Sequence, residues 1–292
     1  MNQTALNRYG QAFVQETPEL ISSKLHELNE LLSSDTFSTP EKKKHYITAA
    51  TEYSHECNDS FKLKHLRCEC FRVDDAAKRI INYWNKRVEL FGEKAFQPMT
   101  QSMACSNDAH ALQINYVMPV VNSKTGDIIK DDAGRGILYI DPSRLTNQEY
   151  DRTSMTRAFW YTMHALLEDE EIQKKGIIII AHPKHASKSS MDRKLSKNNI
   201  TSMRGCLPIR VGAIHMCHPP FFFEIIFGVV KIFLGERLRK RVKIHSGSDE
   251  KVLQTLVETY GIVKGKIPDS IEGGGFTLDY QGWLELRKNQ GK

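Results

Sequence analysis

The stretch PPFFFEIIFGVVKIFLGERLRKRVKIH, Pro219 to His245, sets an apolar run directly before a cluster of cations. Projected at about 100° per residue, Phe222 to Gly235 places Glu224, Gly228, Lys231 and Gly235 on one narrow stripe, and every other position is Phe, Ile, Val or Leu. Apolar residues therefore cover well over half of the helix circumference, whereas a surface helix needs an apolar stripe of only roughly 100°. Two arrangements satisfy the excess. The helix is buried on two sides inside a large domain, or one of its apolar sides lies against something removable. The residues that follow favour the second, because Arg237, Arg239, Lys240, Arg241 and Lys243 come at once after the apolar run. An apolar surface beside cations suits an acidic membrane interface, at about 1 kcal/mol per basic residue near the surface. Nucleic acid would attract the cations, but it has no use for a Phe-, Ile- and Val-rich helix next to them.

The whole composition agrees with a globular chain that meets anions. Its 292 residues are 40% hydrophobic, enough for a sizeable core, and carry a formal charge of +6, which favours acidic partners. The start, MNQTALNRYGQAF, lacks the basic-then-apolar pattern of an export signal. Glu224 and Lys231 interrupt the longest candidate for a membrane span, which would need about 20 apolar residues. The expectation is a cytoplasmic protein that associates with membranes reversibly.

Catalytic and metal-binding patterns are missing. The sequence contains no GxSxG, GxxxxGK[ST] or HExxH motif, and Gly273 to Gly275 lie near the chain end rather than between a first strand and helix. Six cysteines show no paired CxxC spacing, and Cys68 and Cys70 flank a glutamate as ordinary reduced thiols. Residues three apart on a strand point to opposite faces, so neither His182 with His185 nor His215 with His218 can chelate from one strand. These histidines are expected in the core or in loops. No enzyme activity, cofactor or metal is expected.

Along the chain, helical signals come first. Thr17, Pro18 and Glu19 open one helix, Thr39, Pro40 and Glu41 open a second that ends near Cys57, and a short third begins at Phe61. A fourth starts at Asp74 and Asp75 and stops at Gly92. These make a small all-α bundle over residues 15–95. Strand-like and helical segments then alternate: strands at Ile114 to Val121, Ile137 to Ile140, Gly176 to Ala181, Ile209 to Cys217 and Arg241 to Ile244, and helices at Gln148 to Gln173, Ser190 to Ser202, the quoted run, and a last one from Asp249 to Tyr260. That alternation predicts an α/β domain with a mainly parallel sheet over residues 105–280.

The segment LPIRVGAIHMCHPPFFFEIIFGVVKIFLGERLRKRVKIHSG (207–247) resembles CRAL-TRIO lipid-binding proteins, most closely the α-tocopherol and retinaldehyde transfer branch. GIIIIAHP before it and IPDSIEGGGF (267–276) after it fit the same family, and FKLKHLRCECFRVDDAAKRIINYWNKR (61–87) is similar to its helical N-terminal module. The resemblance runs from about residue 61 to 279. It implies a sheet floor and helical walls around one lipid-sized cavity, with Phe222 to Leu234 as a movable gate. By position, Phe159, Met163, Ile177, Met203, Leu207 and Val211 would line the cavity. Phe223, Ile226, Phe227 and Val230 would close it from the gate.

Three headgroup-contacting basic positions of the branch fall on Arg210, Arg237 and Arg241. Two others hold Gly212 and Glu69, the latter expected to oppose the cations, and His182 stands where the family's central strand ends in an acid. The implied function is non-catalytic binding and intermembrane transfer of a small hydrophobic lipid, docked on acidic membranes that include phosphoinositides. The alternative is a lipid-sensing regulator or adaptor that moves no lipid. The expected partners are one lipid and a membrane surface, not nucleic acid, and the chain is read as a monomer.

Overall fold

The computed structural model describes residues 9–11, 13–105 and 108–292, apart from the side chain of Ile226. They form two compact units. One comprises the chain to Pro98 together with Thr201–Arg210, and the other comprises Met99–Ile200 with Val211–Lys292. The limits expected from the sequence are 15–95 and 105–280; Thr201–Arg210 groups with the first unit.

The first unit is helical: α1 (Pro18–Ser33), α2 (Pro40–Glu52), α3 (Asp59–Cys68) and α4 (Val73–Phe91). Thr17 caps α1 by accepting from the Leu20 amide at 3.2 Å, as the Thr-Pro-Glu signal predicts. Helix α2 stops five residues before Cys57, at Glu52. Its Lys43, buried, donates to the carbonyls of Leu32 and Ser34 at 3.0 Å, satisfying the open end of α1. Helix α4 packs against the other three. Its Trp84 stacks on Phe96 (5.6 Å) and meets Tyr83 and Phe61 edge-on or tilted, while the Arg87 guanidinium lies 5.2 Å from the Trp84 ring.

Glu69 anchors the inserted segment to this bundle. Only 3% exposed, it accepts from Arg79 Nε at 2.8 Å and from Arg72 Nη2 at 3.1 Å. Arg79 in turn donates to the carbonyls of Met203, Leu207 and Arg204 at 3.1, 2.8 and 3.0 Å. The expectation that Glu69 opposes surface cations is therefore corrected. It is a buried counter-ion, and an arginine there would set like charges against Arg79 and Arg72.

In the second unit, α5 (Gln101–Cys105) and α6 (His110–Gln113) precede a five-stranded sheet. Its strands are β1 (Val117–Pro119), β2 (Gly136–Ile140), β3 (Ile177–Ala181), β4 (Val211–Cys217) and β5 (Val242–His245). The strands lie in sequence order, β1 antiparallel to β2 and all later pairs parallel. The strand expected over Ile114 to Val121 is cut short by Asn115, whose φ is 58°, so pairing with β2 begins at Val117. Strand β3 is buried along its whole length, as an unbroken isoleucine run requires. Strand β2 leads to β3 through two helices, α7 (Arg152–Leu166) and α8 (Glu170–Lys175). Asp169 ends the single helix expected over Gln148 to Gln173, because its carboxylate caps α8 by accepting from Glu171 N and Ile172 N at 2.8 and 3.2 Å.

After β3 come α9 (Arg193–Gly205), α10 (Phe223–Arg239) and α11 (Asp249–Gln254), the last continuing as a π turn through Thr259. A further helix beyond those expected, α12 (Tyr280–Asn289), is capped by Asp279 and buries Trp283. Arg287 on α12 donates to Tyr161 Oη at 2.6 Å, pairs with Glu168 at 2.7 Å and lies over the Trp283 ring at 5.3 Å.

Neighbouring β4 and β5 bring together two histidines thirty residues apart. His215 Nδ1 and His245 Nε2 are 3.0 Å apart, and the Tyr260 ring packs on both. Burial pushes their pKa values down to about 3 and about 4, with neighbouring positive charge adding to the shift. No three His, Cys, Asp or Glu side chains among the described residues are placed to hold a metal.

Two consequences are measurable. Replacing Glu69 by Ala leaves Arg79 buried without its counter-ion and should destabilise the first unit by about 3–5 kcal/mol, read as a lowered urea midpoint. Both histidines titrate near 6.5 when unfolded. Their neutral pairing is thus fully stabilising above that pH, and is lost as the pH falls from about 6.5 toward 4. Each histidine then contributes about 1.4 kcal/mol per pH unit. Equal urea midpoints at pH 7 and pH 5 would refute the neutral buried pair.

Candidate functional site

Strand β4 ends at Cys217, and the chain turns through His218, Pro219 and Pro220 into α10. His218 has a φ of 52°, and Phe223 N closes the turn on Pro220 O at 2.8 Å. Gly235 interrupts α10 with φ 64° and ψ 170°, a conformation that strains any side chain with a Cβ. The apolar helix therefore ends at Leu234, and Glu236 to Arg239 form a separate basic turn.

The helix is apolar on two sides. Phe223, Phe227 and Leu234 are buried, with the Phe223 and Phe227 rings stacked at 5.1 Å. On the outside, Ile225 and Ile232 are each 72% exposed and Phe221, just before the helix, is 90% exposed. Lys231 folds over the Phe227 ring at 4.9 Å, keeping its methylenes on apolar surface.

The expected cavity residues divide between the units. Met203 and Leu207 lie in the first, while Phe159, Met163, Ile177, Val211, Phe223, Phe227 and Val230 lie in the second. All are buried except Val230, which is half-buried. The side chain of Ile226 lies outside the described residues.

Of the three expected headgroup arginines, Arg210 belongs to the first unit and Arg237 and Arg241 to the second. Arg210 and Arg241 are half-buried and Arg237 is exposed. Arg237 and Arg241 do not share one continuous helical face, because α10 ends at Arg239 and Arg241 N turns back on Leu238 O at 2.9 Å. Arg241 also spends Nη1 on the carbonyl of Val211, which ties the entry of β5 to the start of β4. Lys240 pairs with Glu236 at 2.6 Å on the surface.

A polar cluster that the sequence did not reveal sits where β2, β3 and β4 end. Tyr139 Oη is 3.1 Å from His182 Nδ1, and Ser270 Oγ donates to Tyr139 Oη at 2.7 Å. The His182 ring stands 5.5 Å from that of His218, whose Nε2 lies 2.9 Å from Asp249. Ser270 is delivered by the loop over Ile267 to Phe276. A Cβ at Gly274 would crowd the carbonyls of Ile267 and Ile271 at 2.8 and 2.9 Å, so this loop closes only around glycine. The spacing of Tyr139, His182 and Ser270 follows no local motif, so only the fold assembles them.

Residues 123–264 match the family model of the CRAL/TRIO domain. The mouse protein named "Alpha-tocopherol transfer protein-like" is 27% identical over 229 residues, 77% of this chain but only 61% of that protein's length. Rat Clavesin-2 is 23% identical over 238 residues, 80% of this chain and 68% of the relative. The solved structure described as "Crystal structure of Sfh5" superposes with a TM-score of 0.57 at 15% identity, covering 95% of this chain and 99% of that one, which extends the likeness in fold to nearly the whole chain. The parallel sheet, the apolar helix between its last two strands and the matched segment agree: residues 123–264 are similar to a CRAL/TRIO domain, and the fold is of that kind.

Proposed function

We propose that this protein carries one small hydrophobic lipid in a buried pocket, leaves it chemically unchanged, and moves it between membranes by docking α10 on an acidic surface. The observation that carries the reading is the two-sided apolar helix. Phe221, Ile225 and Ile232 face out beside a basic turn, while Phe223 and Phe227 face in. A membrane offers apolar chains for the outer residues and acidic headgroups for the cations, phosphoinositides among them. The names of the tocopherol-transfer-like relatives support carriage. The expected residues Arg210 and Arg237, and Arg239 in the same basic turn as Arg237, are each proposed to meet headgroups. Arg241, which also holds the Val211 carbonyl, is the third of the expected arginines proposed there.

The outer face separates docking from folding. Phe221→Asp combined with Ile232→Asp should leave thermal unfolding unchanged and weaken sedimentation with phosphatidylserine vesicles by at least about tenfold, since each buried apolar side chain is worth roughly 1.5–3 kcal/mol. Phe223→Asp, in contrast, puts a charge into the interior at a cost of several kcal/mol and should lower the melting temperature. Stable Phe223→Asp with normal lipid uptake would contradict the assignment of an inner face.

Charge reversal at Arg210, Arg237 and Arg239 should weaken binding to the same vesicles by about 1 kcal/mol per cation, and added salt should weaken the wild type as screening shortens from ~10 Å at 0.1 M. Lipid already bound should stay in place. Unchanged sedimentation of the triple variant would remove the cations from the docking surface. A fluorescent lipid assay between donor and acceptor vesicles then tests transfer itself; binding without transfer would favour a lipid-sensing regulator.

A further inference from the structure

The cluster at the strand ends fixes the chemistry of one buried atom. Ser270 Oγ donates to Tyr139 Oη at 2.7 Å, so the phenol's own proton is free to go to its other neighbour, His182 Nδ1, 3.1 Å away. Nδ1 is then an acceptor, and the ring proton of neutral His182 resides on Nε2. Burial, the largest influence, and nearby positive charge push the His182 pKa down to about 4, so the ring is neutral at pH 7. His182 is only 3% exposed, yet Nε2 has no hydrogen-bond partner among the described residues. A buried donor without an acceptor is costly, and the surrounding groups do not supply one. Asp141, the carboxylate whose charge acts on the ring, is engaged by Ser143 Oγ at 2.5 Å and by Arg144 Nε at 3.2 Å. The position adds weight, because ligands of parallel α/β sheets bind beyond the carboxyl ends of the strands, and His182 directly follows β3.

We propose that His182 Nε2–H donates a hydrogen bond to an oxygen of the bound lipid, with Tyr139 and Ser270 as positioning residues that fix its tautomer. The ligand class this selects is a neutral lipid bearing a hydroxyl or carbonyl oxygen, in preference to a bare hydrocarbon of the same length. The inference rests on the lipid-carrier reading above and adds the ligand's polar end to it.

The test uses the full chain, loaded from phosphatidylcholine vesicles containing either octadecan-1-ol or octadecane, with retained probe measured by gas chromatography. The ratio of alcohol to alkane retained by the wild type, divided by the same ratio for His182→Phe, cancels the probes' different preferences for the vesicle. A value of roughly five to ten is expected for one buried hydrogen bond. Tyr139→Phe should lower the alcohol preference while leaving His182 in place, and the ¹⁵N spectrum of its ring should lose the single Nε2–H tautomer. This variant serves if His182→Phe does not fold. Equal ratios in wild type and His182→Phe, with both probes retained, overturn the role of His182 and leave lipid carriage standing. Retention of neither probe by the wild type overturns both.

Discussion

The parallel pairing of β4 with β5 is the constraint on which the proposed working part of the molecule depends. Ile214 lies opposite Val242 and Cys217 opposite His245, so the chain must leave β4 at one end and re-enter the sheet back toward the other. Parallel strands cannot be joined by a tight turn. The returning segment is a helix, and its apolar part from Phe223 to Leu234 spans about 18 Å at 1.5 Å per residue. Arg241 on the Val211 carbonyl and His215 against His245 hold the two strands together on either side of that return.

Within that frame the helix is distinctive for what it leaves uncovered. An ordinary crossover helix buries one stripe and shows polar residues to solvent. Here Ile225 and Ile232 remain in the open, a cost in water that a lipid surface would relieve. The break at Gly235 separates the apolar rod from its basic turn, so that Arg237 and Arg239 need not follow the rod's own helical phase. His218 at one end and Gly235 at the other are both in left-handed backbone conformations. The apolar segment is thus bounded by two points where the helical geometry stops.

The interior is organised by buried charge and polarity as much as by apolar packing. Glu69 with Arg79 holds residues 203 to 207 to the helical bundle. Asp131 and Arg135 are both nearly inaccessible and pair at 2.6 Å in the loop before β2. Arg287 joins Tyr161, Trp283 and Glu168. Each such pair penalises alternative arrangements in which one partner is buried alone. They fix where segments dock, a task for which isoleucines and leucines, interchangeable in shape, are less selective.

The amino-acid sequence by itself determined everything that depends on local order. The Thr17 cap, the Gly92 stop, the isoleucine run of β3 and the amphipathic excess of Phe222 to Gly235 are each set by neighbours within a turn or two, and periodicity or capping chemistry exposes them. Asp169, which splits one helix into two, and Asp279, which begins α12, are local capping signals of the same kind. What only the tertiary structure decided is which distant residues meet. His215 with His245, Tyr139 with His182 and Ser270, and Glu69 with Arg79 are separated by 10 to 131 positions, and no spacing rule connects them. Glu69 shows the difference most plainly: the resemblance sets it among headgroup-contacting positions, and the fold encloses it as a counter-ion. Sequence specifies which side chains carry charge or apolar surface; their burial, and hence their energy, depends on contacts that exist only once the chain has closed on itself.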